Sequence, residues 1–433
     1  QGTRGDLGYS FHGAWLTTEN DRPRNDYENV DYSFRFDYAV DERWEIGMMS
    51  RGHDASYRDP PLPDLFISES NVDNLNIAAS AYVRCQVTDD WSSRLTLSWF
   101  NEDYDGDFGG FDYHGDSRIC TLDWENTVYA GDAYKVVAGF TGEFARQKDN
   151  FFADGFAEST HTGAYVQGLF EPDVHWSWSL GIRYDWVERF SDPFTWRASV
   201  AYRLPDSGTK LRASAGSSFR APNVYQLFTT FQGAGNPNLD PETGLAVDVG
   251  IDQEILAGRG VLSLTAFLTS LDDIIVDADP DPFLVRAENR DEGESYGVEA
   301  KLVARFGPLA SLRVAYTWLH SDTTDHTGGN PFTERRENLP RHQLNADLRF
   351  TPTRASDVGL GLDWIDDRLG NYAAFFGPPD LRSDSYAVFR AYGSWSPRES
   401  WTVHARVENL LDKSYFASPN YPANGFGGYA GLT

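Results

Sequence analysis

Polar and apolar residues alternate one by one along most of this chain. Between positions 175 and 186, Trp176, Trp178, Leu180, Ile182, Tyr184 and Trp186 fall on one face, and His175, Ser177, Ser179, Gly181, Arg183 and Asp185 on the other. Side chains of a strand point to opposite faces in turn, so such a segment is a strand with one greasy and one wet face. The pattern recurs where Tyr32, Phe34, Phe36 and Tyr38 oppose Ser33, Arg35 and Asp37. It recurs again where Leu312, Val314, Tyr316 and Trp318 oppose Ser311, Arg313 and Thr317. The wet faces are too charged for a dry core and suit a water-filled lumen. Repetition along the whole length indicates that the greasy faces meet lipid.

Composition agrees with a membrane barrel. The chain has 433 residues, 40% of them hydrophobic and 15% aromatic. No run of about 18 apolar residues occurs, which excludes a helical membrane span, but a barrel strand needs only about 9–11 residues with one apolar face. No Ser/Gly tract or Pro run marks a linker, so residues 1–433 read as one closed sheet. The formal net charge of −28 argues against nucleic acid, which calls for a basic surface. Acid concentrates in loops, as at Asp272, Asp273, Asp277, Asp279 and Asp281, where it reads as solvated surface.

Strands come in pairs. Short turns fall about 45 residues apart, and each period holds two strands, a tight turn and a long connection. The fold expected is all-β, a transmembrane antiparallel barrel with about 20 strands. Segments 283–288 and 293–306 are taken as separate strands, and 400–411 as the last. Long connections are placed at 51–72, 103–113, 148–159, 217–241, 271–292, 321–338, 366–384 and 412–426. Long loops carry function more often than tight turns do. Trp44, Trp91, Tyr134, Trp176 and Trp401 each open the strand after a tight turn, as an interfacial aromatic girdle would. Ordinary β-propensity would account for each residue singly, but their recurrence at the same phase of the period favours the girdle. Cys85 and Cys120 fall on strands with one strand between them, about 9–10 Å apart, too far for an undistorted disulfide.

Four motifs resemble those of TonB-dependent outer-membrane receptors. Ser217-Ser218-Phe219-Arg220-Ala221-Pro222-Asn223 is similar to the motif that ends a mid-barrel strand in that family, and Gly235-Asn236-Pro237-Asn238-Leu239-Asp240-Pro241-Glu242 to the motif that follows it. Ser295-Tyr296-Gly297-Val298-Glu299-Ala300 resembles a later strand opening, and the stretch 407–415, with Asn409 and Leu410, the penultimate strand and its exit. Read on their own, the prolines mark strand ends and the asparagines suit turns, so these residues build the rim. The resemblance covers essentially the whole chain and is nearest to the cobalamin and siderophore branch. It implies an importer of a scarce metal chelate in the outer membrane of a Gram-negative bacterium, a monomer set in lipid and lipopolysaccharide. It also implies a TonB complex engaged through an N-terminal region. The family's plug is not visible before Gln1, and its first and last strands are not recognised. The chain therefore reads as strands two to twenty-one of a 22-strand barrel.

Two other function classes remain. A passive porin-like channel fits size and alternation. An outer-membrane enzyme would need a catalytic motif, and no Gly-x-Ser-x-Gly, His-Glu-x-x-His or Gly-rich phosphate loop is present. Candidate ligand contacts are the loop aromatics Phe66, Phe151, Phe152, Tyr372, Phe375, Phe376, Tyr421 and Phe426, which can stack on a ligand or pack the loops together. Asp103, Asp105 and Asp107 stand at alternate positions in a Gly-rich stretch, a spacing of hard oxygen donors that suits Ca²⁺. His114 occupies the place where a calcium loop of the EF-hand type has its Glu, and a solvated acidic loop is the plainer reading. The cobalamin branch uses calcium in its outer loops. No other cofactor is indicated.

Overall fold

The structure, a computed structural model, describes every residue except 21–23, 60–68, 109, 111, 231–234, 279–285, 326–330, 372–380, 399 and 419–420. Its strands are β1 (Gly2–Arg4), β2 (Leu7–Thr18), β3 (Tyr27–Ala39), β4 (Trp44–Asp59), β5 (Ser70–Thr88), β6 (Trp91–Phe108), β7 (Asp112–Ala130) and β8 (Tyr134–Asp149). There follow β9 (Phe156–Phe170), β10 (Trp176–Val187), β11 (Phe194–Arg203), β12 (Thr209–Arg220), β13 (Glu242–Ile255), β14 (Gly260–Ala278), β15 (Arg286–Phe306) and β16 (Ala310–Asp325). The last are β17 (Phe332–Arg335), β18 (Pro340–Thr353), β19 (Ser356–Asn371), β20 (Leu381–Arg398), β21 (Trp401–Glu408), β22 (Phe416–Ser418), β23 (Tyr421–Pro422) and β24 (Gly427–Leu432). One short helix, α1 (Val224–Phe228), lies between β12 and β13.

Twenty-two of these strands form one antiparallel sheet, and β22–β23 form a separate hairpin. Neighbours in sequence are neighbours in space, as hairpin connections require. Among the described residues, β1 pairs with β2, β24 pairs with β21, and no ladder joins β24 to β1 or β2.

The alternation has the consequence expected of a lipid-facing wall. Trp178, Leu180, Ile182, Tyr184 and Trp186 are 40–60% exposed on one face of β10. On the other face Arg183 donates from Nε to Asp185 at 2.8 Å, and His161 approaches the same carboxylate at 2.8 Å. The greasy side faces out and the ionised side faces a lumen, the reverse of a soluble sandwich. Large hydrophobic cores are accordingly absent among the described residues, and no large side chain there is fully buried.

Glycines on the lumen side make room for big polar neighbours. Gly47, Gly139 and Gly359 lie directly across from Tyr82, Tyr165 and Tyr392. A Cβ on any of the three would stand 2.2–2.5 Å from the tyrosine ring. Each ring thus covers the bare backbone of its partner and fixes the register. The Tyr392 hydroxyl goes on to donate to Asp347 at 2.9 Å.

Three sequence expectations need correction. The connections placed at 51–72 and 103–113 are largely strand, since β4 runs to Asp59, β5 starts at Ser70 and β6–β7 stay in register to the pair Asp107↔Asp112. Segments 283–288 and 293–306 are not two strands: the described part, from Arg286, is continuous in β15. A strand does follow 411, namely β24, whose small Gly- and Ala-rich residues carry no period-two signal. The all-β expectation holds, with α1 a single five-residue helix beside 24 strands. The count of about 20 long strands survives because β15 removes one and β24 adds one. Cys85 and Cys120 are free thiols on β5 and β7.

Candidate ligand-binding rim

The tight turns lie at one rim, where Trp44, Trp91, Tyr134 and Trp401 are 39–52% exposed at the starts of their strands. The opposite rim carries the long connections. Part of it is a packed assembly centred on the segment between β12 and β13.

At the base of that segment Arg220 and Glu242 are cross-strand partners, and the guanidinium Nε lies 2.8 Å from the Glu242 carboxylate. The other carboxylate oxygen accepts from the Ile275 amide at 2.8 Å. Phe219 and Ala221 flank Arg220, and Pro222 is buried just before the helix. Asn223 caps α1: its side chain accepts from the Gln226 amide, and Gln226 reaches back to the Asn223 amide, a reciprocal capping box.

Asn236 is the hub of the return path. Its Nδ2 donates to the Ala287 carbonyl at 2.9 Å, and its Oδ1 accepts from the Asn238 amide at 3.1 Å and from Arg286 at 3.2 Å. Leu239 is 3% exposed and packs with Leu227, Ile275 and Ala287. Pro237 and Asn238 are exposed, and Pro241 leads into β13. These motif residues fold the segment down onto the β14–β15 wall. The contact set of Asn409 is similar in kind. It is 3% exposed, adopts φ 48°, donates to the carbonyls of Lys413 and Asn424 at 2.8 and 3.2 Å, and accepts from the Lys413 amide at 2.8 Å. Leu410 beside it is 40% exposed and donates its amide to the Phe389 carbonyl.

Two of the candidate aromatics join this assembly. Phe151 stacks on Tyr113 with centroids 5.7 Å apart, and its carbonyl accepts from the Thr230 amide at 2.6 Å. Phe152 is 6% exposed and bridges to Thr229 just beyond α1. Tyr113 donates to the buried Asp149 at 2.8 Å, and burial pushes its phenol well above the usual range. Both phenylalanines therefore tie one loop to the next. Phe426 is 57% exposed, and its amide donates to Asp412 at 2.9 Å. Phe66, Tyr372, Phe375 and Phe376, together with the side chain of Tyr421, lie outside the described residues.

Sequence reasoning missed Arg368. It is 5% exposed, donates to the carbonyls of Ala417 and Phe416 at 2.6 and 2.8 Å, and pairs with Asp384. It thereby holds the connection after β21 against β19. Nothing local in the sequence marks an arginine at a strand end for such a task.

The acidic stretch is rearranged relative to expectation. Asp103, Asp105 and His114 bring their ligand atoms within 4.8 Å of one another, and Asp107 is not among them. Asp107 instead accepts from the Gly110 amide at 2.6 Å and closes the hairpin turn. The trio shares the face of Leu95, Leu97 and Trp99, so it looks out from the wall and away from the mouth. His114 lies 2.6 Å from Asp105, whose carboxylate raises the imidazole pKa above its ordinary value. Two carboxylates and one imidazole suit a first-row transition metal better than Ca²⁺, which takes six to eight oxygens. Any such metal would compete with the proton that Asp105 favours.

Comparison with known proteins fixes the family. A family described as TonB dependent receptor-like, beta-barrel, matches residues 1–410. The chain belongs to the TonB-dependent receptor family. Its barrel is 23% identical over 438 residues to the vitamin B12 transporter BtuB of Vibrio cholerae serotype O1, covering 98% of this chain and 66% of that protein. This receptor barrel therefore spans just under two thirds of that relative's length. Among solved structures it resembles the siderophore receptor PirA of Acinetobacter baumannii, with a TM-score of 0.80 and 17% identity over 98% of this chain and 75% of that one. It resembles equally the ferric-catecholate import receptor Fiu of E. coli K12, with a TM-score of 0.81 and 13% identity over 100% of this chain and 78% of that one. Those two likenesses are of fold. The family is one of outer-membrane β-barrel receptors of Gram-negative bacteria.

Proposed function

We propose that this chain forms the barrel of an outer-membrane transporter that takes up a scarce metal chelate, with cobalamin preferred over any ferric catecholate. The observation that carries the preference is charge. The net charge is −28, and the rim opposite the tight turns exposes Asp154, Asp240, Asp272, Glu292 and Glu294. A field of that sign repels a polyanionic ferric catecholate during its approach and is indifferent to a corrinoid of little net charge. The relationship to a B12 transporter supports the same choice. TonB is the energising partner proposed, through sequence N-terminal to the barrel.

Calorimetry on the full-length gene product with cyanocobalamin and with a ferric tris-catecholate, at low and high salt, tests this. Cobalamin affinity should change little with salt, whereas any catecholate binding should be weak and should tighten as salt screens the rim. Tight catecholate binding with none to cobalamin would overturn the proposal. Complementation of a receptor-null strain, with growth dependent on TonB, separates active uptake from a passive channel.

A further inference from the structure

The outward wall of the barrel is not uniformly convex. Across β8 to β13 the register lines up two rows of lipid-facing residues. One row runs Tyr134, Phe170, Trp178, Val200, Ala213, Val249, and the next runs Val136, Gly168, Leu180, Ala198, Ala215, Val247. In the middle of both rows the side chains shrink. Ala198, Ala213 and Ala215 form a low floor, with Leu180 60% exposed on one bank and Val249 53% exposed on the other. The result is a groove of about 590 Å³ set in the wall, lined by these residues and by Trp178.

Its depth in the membrane is fixed by the register. The row nearer the tight turns lies two residues from the pair Trp176↔Tyr202, at about 6–7 Å along the strand. Trp176 opens β10 at the aromatic rim, and Tyr202 packs on it with centroids 4.3 Å apart. In an outer-membrane barrel the short turns are periplasmic. The groove is therefore continuous with the lipid interface of the periplasmic leaflet, whose lipids are phospholipids, and opens just inside the aromatic belt that sits at headgroup level.

We infer that this groove is a site for one acyl chain of a periplasmic-leaflet phospholipid. A wall of large side chains leaves a neighbouring chain free to slide. A trough floored by alanine lets one chain sink between Leu180 and Val249 and gain contacts on three sides, while bulk lipid tails touch only one. The alanine floor also makes the interaction removable, because a larger side chain there fills the trough without altering any lumen residue.

The test is native mass spectrometry of the full-length protein extracted from outer membranes and exchanged into a second detergent. The wild type should retain one phospholipid. The double variant Ala198→Phe, Ala215→Phe should retain at least tenfold less, and Ala81→Phe, on the outward face of β5, should match the wild type. Heat-modifiable migration on gels confirms that each variant is folded. Independently of any variant, a phospholipid with a photoreactive acyl chain should label the unaltered protein within residues 196–215. No retained lipid on the wild type, equal retention by the double variant, retained lipopolysaccharide in place of phospholipid, or labelling spread evenly around the barrel would each overturn the inference.

Discussion

Single residues at the rim make contacts that no neighbour can replace. Asn409 satisfies two carbonyls and one amide while holding a left-handed backbone that asparagine tolerates and alanine does not. Asn409→Ala should cost about 2–3 kcal/mol, because buried groups are left unpaired. Urea unfolding in detergent or lipid, followed by intrinsic fluorescence, would measure it. His114 gives a pH-dependent counterpart. Hydrogen bonding to Asp105 comes first among the causes that raise its pKa above 6.5, with the charges of Asp105, Asp103 and Asp116 adding to it. A folded-state value above the unfolded one means that the protonated imidazole stabilises the β6–β7 hairpin below the unfolded pKa. That contribution is lost as pH rises through the folded pKa. A histidine NMR titration should place His114 above 6.5, and Asp105→Asn should bring it back; no change on substitution would show that the contact does not form in solution.

Pairs and triplets of strands are held by complementary bulk. Gly297 sits where a Cβ would lie 2.2 Å from the Trp318 carbonyl and 2.7 Å from the Phe267 ring, whereas a Cβ on Gly168 would meet nothing within 4 Å. Gly297→Ala should therefore destabilise by about 1–3 kcal/mol, and Gly168→Ala should stay within about 0.5 kcal/mol. Equal losses in parallel urea titrations would refute the close packing. The same contrast explains what the sequence could reveal. Period-two alternation is a signal of burial on one side. It was legible in β10 and β16, where one face meets lipid, and it vanished in the outer halves of β6 and β7, where both faces are wet although the ladder continues. The glycine-rich β24 lacked the signal for want of side chains. Helix α1 did carry a mark, Asn223 followed three residues later by Gln226, but a five-residue helix leaves no periodicity around it. At the candidate site, the motif residues were legible as turn builders. The hubs Asn236 and Arg368 were not legible as hubs, because their partners are about 50 residues away.

For the whole molecule, the sheet has two edges among the described residues. β2 from Ser10 to Thr18 has a ladder on its β3 side alone, and β24 on its β21 side alone. Free amides at a lipid boundary are costly. In the 433-residue chain, hydrogen exchange in β2 and β24 should outrun that in β6 and β7 by at least tenfold; equal protection would mean that the two edges are covered. Height is the other global property. Strands β5 and β7 have 19 residues each, which at about 3.3 Å per residue and a tilt near 45° gives roughly 44 Å along the membrane normal. The apolar band takes only about 25 Å of that. The remainder stands up like a chimney through the sugar layer of the outer leaflet. A molecule arriving from the medium would meet a protein lip before it had threaded the carbohydrate, and the same lip would offer bacteriophages and antibodies a foothold that a barrel cut flush with the lipid would deny them.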